Sequence, residues 1–305
     1  MSKPLRIAAA GLLAAAAFTS PAAAKVGGAN GRIVFNEGDL AYSVNPDGSD
    51  LTLVHAAYAP RFSSDGSRLA AGAPGDNNQI ATALLNPDGS GYEIQTLGDP
   101  DLSLACPAWE PGDAHLACEG WDENDPSVVA HMYRISVAGW GGLTELTTNP
   151  YGGHDIPEDY SPDGTRIAFD REDPARGEAA LHVLDLETGA IHRIGEWQRE
   201  LPHASWSPNG RSILTYDGDG NLLTMRPDGT RKHIVPLQVP ALSFAFVPGW
   251  SPDGTRIVFQ MFTRRSPHGT QQLGIYTAAS DGSDVRLVYR SEDFSAEHAD
   301  WGPAT

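Results

Sequence analysis

The sequence predicts an all-β protein: a six-bladed β-propeller of four-stranded antiparallel blades, the last blade closed by the N- and C-terminal strands. Two observations predict the blades. An aromatic, a Ser-Pro-Asp-Gly-type turn and a short apolar run recur from Phe62, Trp109, Tyr160, Trp206 and Trp250, with Tyr160-Ser-Pro-Asp-Gly164-Thr-Arg-Ile-Ala-Phe169 as a full copy. Counting Trp301, the aromatics step by 47, 51, 46, 44 and 51 residues, a period that signals a solenoid, propeller or array. A third observation selects a ring. The sixth copy is split, with Trp301-Gly-Pro-Ala-Thr305 at one end of the chain and Gly31-Arg-Ile-Val-Phe35, which lacks its aromatic, near the other. Closure by the tail leaves few open sheet edges.

Within a blade the strands a to d follow in order. Strand a ends on the aromatic, which we expect to pack between neighbouring blades. The Ser-Pro-Asp-Gly turn leads into strand b, the apolar run. Strand c ends on a second motif, as in Leu40-Ala-Tyr-Ser-Val-Asn-Pro-Asp-Gly48 and Leu222-Leu-Thr-Met-Arg-Pro-Asp-Gly229. Strand d is a further short run such as Val285-Arg-Leu-Val-Tyr289. The runs are short, β-branched and punctuated by turns, which is a strand pattern. In each Pro-Asp-Gly, proline presets φ, Asp bonds back to the backbone and Gly takes the left-handed position. The a–b and c–d turns share one end of the ring. The longer b–c and d–a connections share the other, where binding residues collect.

The two-part repeat resembles the TolB-like propeller family, also described by WD40-like Trp-Ser-Pro-Asp-Gly repeats, across residues 31–305. The resemblance implies six blades with the last shared between the chain ends. Many members carry an additional domain. With little before Gly31 and nothing after Thr305, we expect none here, and residues 25–305 are read as a single propeller domain.

Lys3 and Arg6, an apolar stretch from Ile7 to Phe18 and Ala22-Ala23-Ala24 make residues 1–24 a secretory signal peptide. The expectation is an exported protein, periplasmic or secreted, monomeric and without a membrane span. Losing the two basic residues takes the formal charge from −18 to −20, and a surface so acidic repels phosphate backbones, which argues against nucleic acid as partner. The two cysteines are Cys106 and Cys118. With the hairpin centred on Gly112, Trp109 faces His115 and Cys106 faces Cys118, close enough for a disulfide; two buried thiols are the alternative.

Candidate ligand-binding residues fall on the loop-rich end: Trp121, Tyr151, His154, Asp155, Asp159, Trp197, His203, His298 and Asp300. His203 and His298 both stand three residues before the blade aromatic, and Asp159 and Asp300 immediately before it. These offsets aim them at the channel mouth. His154, Asp155, His203 and His298 are the candidate metal ligands, for a divalent cation as cofactor. Asp217, Asp219 and Asn221 resemble the start of a calcium loop, but Leu222 and Asp228 replace its glycine and glutamate. Trp121, Tyr151, Trp197, Phe262 and Phe294 suit a sugar or peptide surface, and the apolar stretch from Val239 to Pro248 is read as an extra strand or a partner patch. No Gly-x-Ser-x-Gly elbow, phosphate loop or dinucleotide fingerprint is present. The sequence therefore favours a non-catalytic propeller that binds a protein, peptide or glycan at the channel mouth. A metal-assisted lyase or hydrolase is the alternative.

Overall fold

The computed structural model describes residues 28–95, 101–125, 130–240, 243–264 and 271–305; the expected signal peptide lies outside them. Among the described residues, six four-stranded antiparallel sheets follow one another. The first contains β1 (Asn30–Glu37), β2 (Leu40–Val44) and β3 (Thr52–Ala56). The second contains β4 (Tyr58–Phe62), β5 (Leu69–Pro74), β6 (Ile80–Leu85) and β7 (Glu93–Gln95). The third contains β8 (Ser103–Trp109), β9 (His115–Trp121), β10 (His131–Ser136) and β11 (Gly141–Glu145). The fourth has β12 (Asp155–Tyr160), β13 (Arg166–Asp173), β14 (Glu178–Asp185) and β15 (Ile191–Arg193). The fifth has β16 (Ser205–Trp206), β17 (Ile213–Tyr216), β18 (Leu222–Met225) and β19 (His233–Ile234). The sixth has β20 (Phe244–Trp250), β21 (Arg256–Arg264), β22 (Gln271–Ala279) and β23 (Arg286–Arg290). The last strand, β24 (Ala296–Pro303), joins the first sheet beside β1, with Ile33 opposite Trp301. Inner strands touch in sequence from β24 through β4, β8, β12, β16 and β20 back to β24, which closes the ring as the split repeat requires.

The core lies between blades, and the strand sequences show why. In β13, Ile167 and Phe169 pack toward the third blade while Ala168 packs toward the fifth. In β1, Ile33 and Phe35 meet the sixth blade, and Val34 meets the second. A strand apolar on both faces suits a sheet covered on both sides. One such cluster fills each of the six interfaces among the described residues.

The repeated turns are built by their own side chains. In the fourth blade, Ser161 Oγ donates to Asp163 Oδ1 (2.6 Å) and accepts the Arg166 amide (2.9 Å). Asp163 in turn accepts the Thr165 amide at 3.1 Å. The same serine bonds recur at Ser63, Ser207 and Ser251. In the third blade Glu110 replaces the serine and pairs instead with His115 and Arg134.

Cys106 and Cys118 form a disulfide. The register around it differs from expectation: Trp109 pairs with Leu116, because a bulge between Ala105 and Ala108 shifts that half of the hairpin by one residue. The stretch from Val239 leads into β20, so its apolar alternation belongs to an inner strand; residues 241–242 lie outside the described set.

Candidate functional site

Each inner strand is interrupted at one equivalent place. Register shifts fall between Tyr58 and Arg61, Ala105 and Ala108, Pro157 and Asp159, and Phe246 and Gly249, and in β1 opposite Glu297–Asp300. In the fifth blade, β16 begins only at Ser205, beyond the equivalent position. The interruption sits three residues before the blade aromatic. Four of the six residues there have left-handed backbones: Ala59 (φ 47°), His203 (42°), Val247 (46°) and His298 (56°). A β-branched valine rarely occupies that region, so the turn is imposed by the ring. Such a bulge re-aims a side chain, and here it aims inward. All six residues, Ala59, Cys106, Pro157, His203, Val247 and His298, line the central channel.

One position further on, the residue before the aromatic stitches the ring. Asp300 Oδ2 accepts the Phe62 amide at 2.8 Å, Asp159 Oδ2 accepts the Trp206 amide at 2.8 Å, and Ser205 Oγ accepts the Trp250 amide at 3.3 Å. Each bond ties an inner strand to that of the next blade. The offset shared by Asp159 and Asp300 thus marks a structural clasp on the channel wall.

At the end where the d–a connections enter, a recess of about 210 Å³ opens among Tyr58, Arg61, Ile156, Glu158, His203 and His298. His203 is held from both sides. Its amide donates to Asp170 Oδ2 (2.9 Å), and its Nδ1 meets Glu158 Oε1 (3.1 Å). Burial works against charge on His203, yet Glu158 and Asp170 hold its pKa above the ordinary value. Burial first, and then the Glu158 charge, push the Asp170 carboxyl well up. Across the channel, His298 has its ring centroid 6.2 Å from that of His203. Burial, with Arg61 and His203 beside it, depresses His298 to about 3. The Arg61 guanidinium donates to the carbonyls of His298 (2.8 Å) and Pro60 (3.2 Å). The mouth thus sets a guanidinium, two imidazoles and carboxylates beside the apolar faces of Ala59, Ile156 and Pro157.

The four expected metal ligands are not brought together. Asp155 is fully buried in a two-point ion pair with Arg171 (2.7 and 2.6 Å). His154 bonds Glu119, which holds its pKa above the ordinary value. Only His203 and His298 of the set share the channel. Both Asp155 and Asp170 belong to strands, because β12 and β13 extend further than the turn signals suggested. Among the described residues, the one group of three whose ligating atoms lie within 4.8 Å of one another is Glu158, Asp170 and His203. Sequence reading missed Glu158, Asp170 and Arg61. The signal was present for Asp170, an acid directly after the apolar run Ile167-Ala-Phe169.

The aromatic candidates stand apart from the recess. Tyr151 is half exposed and meets Trp197 edge-on at 5.6 Å, and Trp197 carries Arg176 at 5.2 Å and Arg193 at 5.8 Å over its ring. Trp121 ends β9 opposite Ser103. Phe262 lies within β21, while Phe294 is an exposed loop residue. The calcium-like segment is a hairpin turn whose Asp217 accepts from the Asp219 and Asn221 amides. No helix among the described residues is long and apolar enough to cross a membrane.

No family model matches the chain. A TolB homolog of Chlorobium luteolum is 33% identical over 121 residues, which is 39% of this chain and 26% of that protein. The aligned region therefore spans about a quarter of that relative. Among solved structures, TolB of Acinetobacter baumannii superposes with a TM-score of 0.69 at 16% identity, covering 90% of this chain and 67% of that one. A protein described as putative TolB from Agrobacterium tumefaciens gives 0.63 at 17% identity, covering 90% and 98%. By its repeats and by its six-bladed ring alike, the chain is similar to the TolB-like β-propellers.

Proposed function

We propose that the protein is an exported binding propeller that takes a protein or peptide partner into the channel mouth at the d–a end. One observation carries the reading: the bulge ring turns side chains of five blades, Ala59, Cys106, Pro157, His203 and His298, into a single recess. Its walls offer both signs of charge next to apolar surface. An extended peptide presents backbone donors and acceptors together with alternating side chains, and a narrow recess of this mixture suits it. The rigid strands hold the wall in place before binding, which lowers the ordering cost of association. Export rests on the basic, apolar and small-residue succession in residues 1–24.

The test is a displayed random-peptide library panned against wild-type protein and against Ile156→Arg, which fills the recess with a long cation. Peptides enriched on the wild type should lose at least about tenfold in affinity for the variant, the equivalent of about 1.4 kcal/mol. Equal binding to both proteins would place the contact elsewhere. Enrichment of a glycan array in place of peptides would reassign the partner class. The export reading predicts a mature N-terminus after Ala24 when the full sequence is expressed with a secretory pathway. An intact Met1 on the purified protein would reject it.

A further inference from the structure

We propose that Glu158, Asp170 and His203 form a binding site for a divalent transition-metal ion on the channel wall. Glu158 comes from β12, Asp170 from the neighbouring β13, and His203 from the segment that precedes β16, so the site spans two blades. Their ligating atoms lie within 4.8 Å of one another. Donors placed about 2.0–2.2 Å from a common tetrahedral ion sit about 3.3–3.6 Å apart, so the widest pair would close by up to about 1.5 Å to complete the site.

Asp170 supplies a second observation that points to a ligand. It is fully buried, and its Oδ1 has no hydrogen-bond partner in the structure. Its Oδ2 is taken by the His203 amide. A buried carboxyl oxygen left unpaired is costly, and no lysine or arginine of the described residues forms an ion pair with Asp170. A cation at the centre of the three groups would satisfy that oxygen. Glu158 is nearly as enclosed, its side chain 9% exposed, while His203 keeps 16% of its own open to the channel. An ion could therefore enter from the recess. His298 faces the same space with its Nδ1 buried and unpartnered, a further donor that a side-chain rotation could bring closer.

The donor set selects the ion class. One imidazole and two carboxylates suit Zn²⁺ or Mn²⁺, whereas Ca²⁺ requires six to eight oxygens and this wall does not offer them.

Titration of chelator-stripped full-length protein with Zn²⁺ followed by calorimetry should show one tight site per chain. Mn²⁺ should compete for it and Ca²⁺ should not. Asp170→Asn and His203→Gln should each weaken that site at least tenfold, since even the outer partners of metal ligands matter on about that scale. His115→Gln, in the separate pair with Glu110, should leave it unchanged. A second measurement requires no variant of the site. Mn²⁺ added to wild-type protein with isotope-labelled histidines should broaden the ring signals of His203 and His298 before those of the others. The proposal is overturned if the wild type takes up no Zn²⁺, if Ca²⁺ competes equally, or if the broadening starts at other histidines.

Discussion

His182 lies in β14 opposite Arg193 of β15, with 6% of its surface exposed and its Nδ1 bonded to the Ala180 carbonyl at 2.8 Å. Burial, the largest cause, lowers its pKa to about 4, so the folded protein keeps this imidazole neutral. An unfolded histidine titrates near 6.5. Between those values the unfolded chain binds the extra proton, so stability must fall as pH drops from about 6.5 to about 4. At pH 4.5 the loss from this one group should be about 2 kcal/mol. Denaturant unfolding of wild type and His182→Gln at pH 7 and pH 4.5 checks it: the variant should lose less stability on acidification, and parallel losses would contradict the assignment. The same scale shows where the sequence stops being informative. Asp159 and Asp300 were recognisable as a pair by offset alone, because the repeat fixes what precedes each aromatic. That they accept amides from the next blade was hidden, since the partners lie 47 and 238 residues away in the chain. Asp155 was misjudged for the same reason, its partner Arg171 standing 16 residues on across a strand pair.

At the scale of strands and turns, the second motif of each blade has two reasons for its glycine. Gly89 has φ +84°, and a Cβ there would lie 2.1 Å from the Val54 carbonyl oxygen on β3 of the preceding blade. Gly48, Gly229 and Gly282 meet the preceding blade in the same way. Gly139 and Gly189, in the third and fourth blades, have φ values of +75° and +70° with nothing within 4 Å of a Cβ. Turn chemistry alone treats all six alike, and it was turn chemistry that the sequence displayed. Gly139→Ala should therefore cost only the left-handed penalty of about 1–2 kcal/mol. Gly89→Ala should add a further 1–3 kcal/mol or so of backbone displacement. Unfolding midpoints of the two variants decide this, and equal losses would mean that the c–d turn does not bear on its neighbour. The inner strands show the opposite case. Their alternation is broken by the bulge, so Asp155, Asp159 and His298 read as loop while they belong to β12 and β24. The feature that points the site inward is the one that disguised the strand.

For the whole molecule, closure was legible from a single missing aromatic, and it makes the six equivalent motifs unequal in energy. Trp301 is 1% exposed, packs with Ile33 and Phe35 of β1, and donates its Nε1 to the Gly31 carbonyl at 3.0 Å. Trp250 occupies the same repeat position, but it is only partly buried and its Nε1 has no partner in the structure. Trp301 also belongs to the strand that joins the two ends of the chain. When it goes, the first blade loses its inner strand, and the sixth loses a neighbour across the same cluster. Trp301→Ala should accordingly cost about 3–5 kcal/mol, the range of a buried aromatic deleted from a core, and Trp250→Ala clearly less. A chain truncated before Ala296 should go further. It would leave the β1 edge and the channel side of the first blade open, and such an edge invites association. Denaturant melts of the two point variants, with sedimentation of the truncated protein, test the ordering. A truncated chain that stays monomeric and unfolds at the wild-type midpoint would show that the ring does not depend on its closing strand. The bulge positions would then have no fixed geometry from which to converge on the channel.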